Sequence, residues 1–587
     1  MLKLLKNLKS KELIFIIFSI VFIILQVYLE LKIPEYMSTI TGLLQIEGTK
    51  IDSILSNGMF MLLCSFGSLI LSGLVCYLAS YVGTSFEKNL RKSLFDKVES
   101  FGMEEIKNFS TSSLITRATN DIRGVKMFLI IGLQVIAKTP IMAFMAIMKI
   151  VGKEWTFSLI TIVGVLVILV LNLVLIFIAI PRFKKIQELT DDINKITREN
   201  LTGIRVVRAY NAEKYQVNKF EKVNNKLTNT QMFVERLMAL INPVMTSIMS
   251  GLSLAIYWSG AYILNNSLIP NRVGIFSDMV VFSSYAIQVI ISFMLLGIVF
   301  VIYPRASVSA NRINEVLNTD SKIKDGEIDK DINNLKGEIE FKNVGFKYPG
   351  AEEYVLKNIN FKINSGETIG VIGSTGSGKS TLINLIPRFY DVTEGEILLD
   401  GVNVKDMKLS YLYDKIGYIS QKAILFKGDI KSNIKLGKIN NKKVSDKMVD
   451  ESLKISQAYE FVSKMDNGID SDVSQSGTNL SGGQKQRISI ARAIAREPEI
   501  YIFDDSFSAL DYKTDLLLRK ELNKYTKNVT KFIVANRIGT IKDSDKIIVL
   551  DNGLLVGIGT HKELLKNCKV YKEIAESQLS EEELQNA

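Results

Sequence analysis

Six long apolar stretches in the first half constrain this 587-residue chain more than any other feature. A hydrocarbon core about 30 Å thick takes about 20 mostly apolar helical residues to cross. Stretches at about 13–33, 59–83, 128–149, 155–180, 237–264 and 279–303 meet that length. The first carries no charge between Glu12 and Glu30, and residues 53–86 carry none. Inside a bilayer every backbone polar group must be satisfied within the protein, so uninterrupted runs of this kind specify helices. The first run is too long for a cleavable signal and no small-residue cleavage site follows it, so it is expected to stay as a span.

Charge placement orients the spans. The chain is basic overall, at +11, but residues 1–336 hold 36 Lys+Arg against 26 Asp+Glu, while 337–587 hold 36 against 35. A nucleic-acid binder would carry its excess on a uniform face; here the excess flanks apolar runs, so no nucleic-acid partner is expected. Residues 84–127 carry eight Lys+Arg and 181–236 carry twelve, whereas 34–58 carry only Lys50. By the positive-inside bias both termini and the long loops face the cytoplasm. The loops near 149–154 and 265–278 are short and face outward. The inner loops are amphipathic, as in Phe86-Glu87-Lys88-Asn89-Leu90-Arg91-Lys92-Ser93-Leu94-Phe95, and are read as helices running on from the spans. A single histidine, His561, argues against a His-based zinc site or a Ser-His-Asp triad. Cys64, Cys76 and Cys568 are read as unpaired thiols.

Composition changes near residue 320. Residues 1–320 form the membrane domain, 321–336 a polar linker and 337–587 a soluble α/β domain. In the latter, the strand pattern Thr368-Ile369-Gly370-Val371-Ile372 leads into Gly373-Ser374-Thr375-Gly376-Ser377-Gly378-Lys379-Ser380, and a helical run starts at Thr381. Strand, G-x-x-x-x-G-K-[ST] loop and helix in that order make a phosphate-binding loop. Its glycines let backbone N–H groups converge on phosphates, and the helix N-terminus adds partial positive charge. Lys379 is placed to reach the β- and γ-phosphates, and the Ser380 hydroxyl to bind Mg²⁺. A second apolar strand, Ile500-Tyr501-Ile502-Phe503, ends in Asp504-Asp505, which supplies the carboxylate such a Mg²⁺–nucleotide site needs.

A third element names the resemblance. Leu480-Ser481-Gly482-Gly483-Gln484-Lys485-Gln486-Arg487 precedes a helical run. It matches the signature sequence of ATP-binding-cassette (ABC) proteins. With six spans ahead of it, the whole chain resembles an exporter-type half-transporter. The fold this implies is six transmembrane helices with long cytoplasmic extensions, followed by a P-loop ABC nucleotide-binding domain. The resemblance assigns further roles. Tyr348 would stack on adenine, Gln421 would sense Mg²⁺ and contact the membrane half, and Asp511 would sit in the loop crossing the dimer interface. Leu480, Ser481, Gly482, Gly483 and Gln484 would act on ATP held by the opposite cassette. Coupling helices are expected near 108–114 and 209–215. ATP and Mg²⁺ are the implied cofactors, and a second half-transporter in a bacterial plasma membrane is the implied partner.

Three positions depart from the family pattern. Asp505 stands where the general base is normally Glu, Asn536 where the switch histidine is expected, and Gln475 where exporters often show Glu. Asp is one methylene shorter, and a misplacement of about 1 Å can cost on the order of 10²-fold in rate. Asn can hydrogen-bond a phosphate but has no titratable ring. Degenerate carboxylate and switch positions beside an intact signature resemble one subunit of the heterodimeric exporters. Its own Walker motifs would then form a slow site, and its signature would complete the partner's. A slow homodimer, an ATP-gated channel or regulator, and an importer are the alternatives. The substrate expected is a small amphipathic compound: a drug, lipid or peptide. Lys138, an ammonium inside the third span, is read as facing the translocation cavity, with snorkelling to the headgroups as the competing reading.

Overall fold

The computed structural model describes residues 2–6, 8–46, 49–150, 155–266, 269–330, 336–437, 444–580 and 584. Residues 151–154 and 267–268 of the short outer loops, and 331–335 of the linker, lie outside the described residues. The chain divides into two compact units, Met1–Glu99 with Ser110–Thr319 and Ser100–Phe109 with Asp320–Ala587.

The first unit is helical, and all six predicted spans are present. They lie in helices Ser10–Leu44, Ile51–Glu99, Thr111–Lys149, Trp155–Thr202 and Glu213–Asn265 and in the segment Arg272–Leu295 of a sixth. The helix Ile51–Glu99 has 49 residues; at about 1.5 Å per residue it runs about 74 Å, more than twice the hydrocarbon thickness. Its buried residues Val75, Ala79, Val82, Phe86, Leu90 and Leu94 follow one helical stripe from the apolar part into the charged part. That stripe is why the extension stays helical where the sequence turns polar. Large apolar side chains such as Leu166, Val170 and Phe177 point outward, as a lipid-facing surface requires. The core is built by residues including Ile23, Val27, Met142, Phe157, Ile256 and Phe282.

The third span is not a uniform α-helix. It carries π-turns at Arg117–Asp121 and Gly132–Ile136. Pro140 has no N–H to offer the Ile136 carbonyl, so the α-ladder cannot pass that point unchanged. The widened turn follows, and the helix restarts as Lys138–Ile150.

In the second unit, a six-stranded sheet has the order β12-β11-β3-β10-β9-β6. Here β3 is Thr368–Gly373, β6 Ile416–Ile419, β9 Ile500–Asp504, β10 Thr530–Val534, β11 Lys546–Asp551 and β12 Leu554–Gly559. All pairs are parallel except β11 with β12. The central strands β9 and β10 are buried at every residue, as parallel strands covered on both faces should be. An antiparallel sheet of order β2-β1-β4-β5 joins β1 (Ile339–Phe346), β2 (Leu356–Ile363), β4 (Glu394–Leu399) and β5 (Val402–Asn403). The segment carrying the signature packs on a separate helical core that includes Ile430, Leu453, Leu480 and Ile488.

Two boundaries differ from the sequence reading. Residues 100–109, counted with the membrane domain, pack with the nucleotide unit. The Lys322 backbone N–H donates to Glu105 (3.1 Å), the Gly102 N–H caps the same carboxylate (3.0 Å), and the rings of Phe101 and Phe109 stack at 5.8 Å. The described part of the linker is also ordered on this unit: the N–H groups of Gly326 and Ile328 donate to the carbonyls of Met407 (3.1 Å) and Asp406 (2.9 Å). Polar composition marked a boundary but could not show that backbone pairing would fill it.

Candidate functional site

The phosphate-binding loop joins β3 to the helix Lys379–Leu385. Gly378 caps that helix with φ +97°, a left-handed conformation that costs glycine almost nothing. Gly373 is fixed by space: a Cβ there would stand 2.1 Å from the Leu550 carbonyl oxygen on β11. The loop therefore turns tightly at the C-terminal end of a strand held between β11 and β10. Lys379 Nζ donates to the carbonyls of Gly373 (2.9 Å) and Ser374 (3.0 Å), and so lies across the mouth of the loop. Burial lowers its pKa, partly offset by Asp505 and Asp504. The Ser377 hydroxyl oxygen is buried without a partner among the described residues. An anion in the loop would satisfy both groups.

Strand β9 delivers Asp504 to the same place. The Ser380 hydroxyl donates to Asp504 Oδ1 at 3.0 Å, and the Tyr418 hydroxyl, on β6, lies 3.5 Å from Oδ2. Tyr418 also donates to Asn384 (2.9 Å) on the loop's helix. Asp504 is only 7% exposed. Burial raises its pKa, and the neighbouring Asp505 charge raises it further. Lys379 only partly counters that burial, and a hard cation with oxygen ligands beside the carboxylate and the hydroxyl would favour the ionised form further. Ser380, Asp504 and the Gln421 amide oxygen are the donor set that fits Mg²⁺.

Asp505 follows with φ +47°, a conformation Asp tolerates better than most residues. Its N–H donates to the Val534 carbonyl on β10 at 3.0 Å. Its Oδ2 accepts from Gln421 Nε2 at 3.4 Å and from Asn536 Nδ2 at 3.3 Å. The structure thus brings Gln421, Asp505 and Asn536 together beside the Ser380–Asp504 pair. Both bonds to Asp505 are long for N–H···O geometry.

Tyr348 lies beside the helix that follows the loop. Its hydroxyl is 3.0 Å from the Thr381 hydroxyl, and its ring meets Phe346 and Tyr390 edge-on at 5.0 and 5.3 Å. Lys107, from the segment Ser100–Phe109, lies 5.3 Å from the Tyr348 ring centroid. Tyr390, Lys107 and Tyr418 were not anticipated. Only Tyr418 had a sequence signal, its position on the strand leading to Gln421.

The signature lies elsewhere on the unit. Ser481 is the N-cap of the helix Gly482–Ile494, accepting from Gln484 N–H at 3.3 Å while Gln484 Oε1 accepts from Ser481 N–H at 2.9 Å. Ser481 and Gly482 are exposed, Gly483 and Gln484 are half-buried, and Leu480 is buried. The helix start is therefore rigid yet free to receive an anion. Asp511 caps the next helix, Tyr512–Tyr525, through Thr514 N–H at 2.9 Å, and that bond lowers its pKa.

In the membrane unit, Lys138 is not a lone ammonium. Its Nζ bonds Glu30 Oε1 on the first helix at 2.8 Å, and both side chains line an internal cavity. Of the two segments expected to hold coupling helices, 108–114 covers the end of the helix Met103–Phe109 in the nucleotide unit, Ser110 at φ +57°, and the start of the helix Thr111–Thr116. The second is the reversal between helices Ile204–Ala209 and Glu213–Asn265, where Asn211 takes φ +49°.

Comparisons with known proteins agree with this architecture. Residues 16–312 match the ABC transporter transmembrane region, and residues 356–508 match the ABC transporter family's nucleotide-binding region. An uncharacterized ABC transporter ATP-binding protein of Mycobacterium tuberculosis is 35% identical over 517 residues, covering 88% of this chain and 86% of that one. The ATP-dependent lipid A-core flippase of Escherichia coli O6:K15:H31 is 29% identical over 532 residues, covering 89% of each chain. A bacterial Atm1-family ABC exporter solved with ATP bound superposes with TM-score 0.79 at 22% identity, over 97% of this chain and 100% of that one. Six spans, one cassette and these matches together make the chain a multi-pass bacterial membrane protein of the ABC transporter family, with the organisation of an exporter half-transporter.

Proposed function

We propose that this chain is the degenerate-site subunit of a heterodimeric ATP-driven exporter of small amphipathic compounds. The observation that carries the proposal is the setting of Asp505. Nucleotide binding is supported by the grouping of Tyr348, the loop Gly373–Thr381, Ser380 and Asp504, joined by the Tyr348–Thr381 and Ser380–Asp504 contacts. The position that should orient the attacking water holds a short carboxylate, steadied only by long bonds from Gln421 and Asn536. A general base must come within about 2.6–3.2 Å of the water it orients. Asp505 stops one bond short of where glutamate would reach.

ATP would be held at the loop by the backbone amides and Lys379, with Tyr348 against the base. Mg²⁺, when bound by Ser380, Asp504 and Gln421, supplies charge neutralisation at the β- and γ-phosphates. Binding therefore survives while hydrolysis at this site slows. The capped start of the helix Gly482–Ile494 offers its amides and Ser481 to the γ-phosphate on a partner cassette. Closure of the two cassettes on ATP then turns the membrane cavity outward, and hydrolysis at the partner's site resets it.

The test is reconstitution of this chain alone and with the half-transporter that co-purifies with it. Alone it should show little ATPase activity; the pair should turn over ATP and accumulate amphiphiles in inverted vesicles. Robust turnover by a verified homodimer refutes the heterodimer.

A further inference from the structure

Glu30, Gln134, Lys138 and Gln288 come from three different spans and meet around a cavity of about 120 Å³ inside the membrane unit. Val135, Met142, Ile291 and Leu295 give it an apolar wall, and Thr139 and Ser292 add two hydroxyl-bearing residues. From this geometry, and resting on the export reading above, we infer that the cavity is a binding site for the zwitterionic head of an amphiphile. The head carries a primary ammonium and an anionic group close together, and the apolar tail lies along the hydrophobic wall.

Unsatisfied polar capacity is the first argument. Glu30 Oε1 accepts from Lys138 (2.8 Å), Gln26 (2.9 Å) and Ser68 (3.2 Å), while Oε2 has no partner among the described residues. Lys138 uses one of its three donors. Gln288 donates to the Glu30 backbone carbonyl (3.4 Å), but its Oε1 is buried with no partner among the described residues. Polar groups left this way between spans are costly, and they mark places where a polar ligand or water enters. Glu35, only a helical turn away, shows the contrast. It is saturated by Lys32 (2.6 Å), Lys149 (2.7 Å) and the Tyr285 hydroxyl (3.3 Å), as a purely structural carboxylate should be.

The second argument is backbone irregularity at the same place. Gln134 and Val135 reach the cavity from the π-turn Gly132–Ile136, and such turns recur where a helix presents groups to a ligand.

Charge then selects the ligand. The site holds one carboxylate and one ammonium, 2.8 Å apart. A cation alone at the open Glu30 oxygen would leave the site with an unbalanced positive charge beside Lys138, and an anion alone at the open Lys138 donors an unbalanced negative charge beside Glu30. Leaving a partly buried charge unpaired is the expensive outcome. A ligand bearing both signs pairs with both. The volume is well below the roughly 300–1,000 Å³ of pockets that enclose whole drug-sized ligands, so it fits a head group rather than a complete amphiphile.

The experiment uses the assembled transporter in vesicles and reads the half-stimulating concentration for ATPase activity. The probes share one acyl or alkyl chain length: lysophosphatidylethanolamine, lysophosphatidylglycerol and an alkylammonium, with free phosphoethanolamine as a tail-less control. The zwitterion should half-stimulate at about tenfold lower concentration than either singly charged amphiphile, the equivalent of one charge-assisted hydrogen bond. Lys138→Met should move the preference toward the cation and Glu30→Gln toward the anion. The double exchange Glu30→Lys with Lys138→Glu should restore the zwitterion, which keeps the test open if a single variant folds poorly. Equal losses for all three amphiphiles in both single variants, or no preference in the wild type, overturn the inference while leaving the export reading standing. Phosphoethanolamine acting as well as the lipid overturns the amphiphile assignment. ATP turnover without uphill movement of any amphiphile instead counts against the export reading.

Discussion

Replacing Asp505 by Glu together with Asn536 by His should accelerate hydrolysis at this chain's own site by about 100-fold. The estimate starts from the contacts. The Asp505 carboxylate is held at 3.4 Å by Gln421 and 3.3 Å by Asn536, so no tight bond fixes it short of its target. One added methylene advances the carboxylate by about 1 Å or slightly more, and a displacement of that size is worth on the order of 10²-fold. In barrier terms that is about 2.7 kcal/mol, at 1.36 kcal/mol per tenfold. The exchange has a cost in folding. Position 505 has φ +47°, and a left-handed conformation costs an ordinary L-residue roughly 1–2 kcal/mol, with Asp among those that bear it best. Stability should fall slightly while the rate rises, so the two readouts move in opposite directions. The assay is single-turnover hydrolysis in the heterodimer with the partner's catalytic carboxylate disabled, read beside a thermal melt. A wild-type site that already turns over at about 10 s⁻¹, a typical enzyme rate, would refute the reasoning. So would a double variant within threefold of it.

Three further outcomes follow from the same geometry. Ser481→Ala should cripple steady-state ATPase activity of the pair, whereas Lys379→Ala should reduce it only severalfold, because in the proposed heterodimer Ser481 serves the partner's site; equal losses would contradict that division. Gly373→Ala should destabilise the nucleotide unit by about 1–3 kcal/mol, the overpacking range, because its Cβ would stand 2.1 Å from the Leu550 carbonyl oxygen; a melt within 1 °C of wild type would count against it. Burial keeps Asp504 protonated to higher pH in the native state than in the unfolded chain, so its contribution is favourable below the unfolded value of about 3.9 and is lost as pH rises through the native value. Asp504→Asn should therefore flatten that part of the pH–stability profile of the nucleotide-free protein and abolish Mg²⁺-dependent tightening of nucleotide binding.

What could be read from the sequence was local along the chain. The phosphate loop is eight consecutive residues whose glycines and helix start do the work, so its pattern fixes its geometry. The signature is equally compact, and its Ser481–Gln484 capping box is visible in the letters. The spans were legible because hydrocarbon demands length and continuity, which are one-dimensional properties. Side-chain pairing across the fold was not. Glu30 and Lys138 are separated by 108 positions, and nothing in either neighbourhood says that the two helices bring them together. Lys138 was read from its own span as an ammonium facing the translocation cavity, and its 2.8 Å pairing with Glu30 had no signal there. The widened turn at Gly132–Ile136 was hidden for a different reason: a proline predicts disruption four residues back, but not which irregular turn relieves it.

The division between local and distant contacts also explains why nucleotide binding and hydrolysis can come apart in such a site. In the proposed reading binding rests on the loop backbone, whose path is constrained by Gly373 pressed on Leu550 and Gly378 turned left-handed. It depends also on the Ser380–Asp504 bond, anchored at the end of a fully buried strand. None of these runs through the side chains of residues 505 and 536. Asp505 is positioned by its own N–H on the Val534 carbonyl, a bond any residue but proline makes. The chain can exchange Glu for Asp and His for Asn there with no loop amide, strand or aromatic contact disturbed. A site built this way loses rate before it loses affinity, and a nucleotide that stays bound can hold one side of a cassette pair closed while the other side cycles.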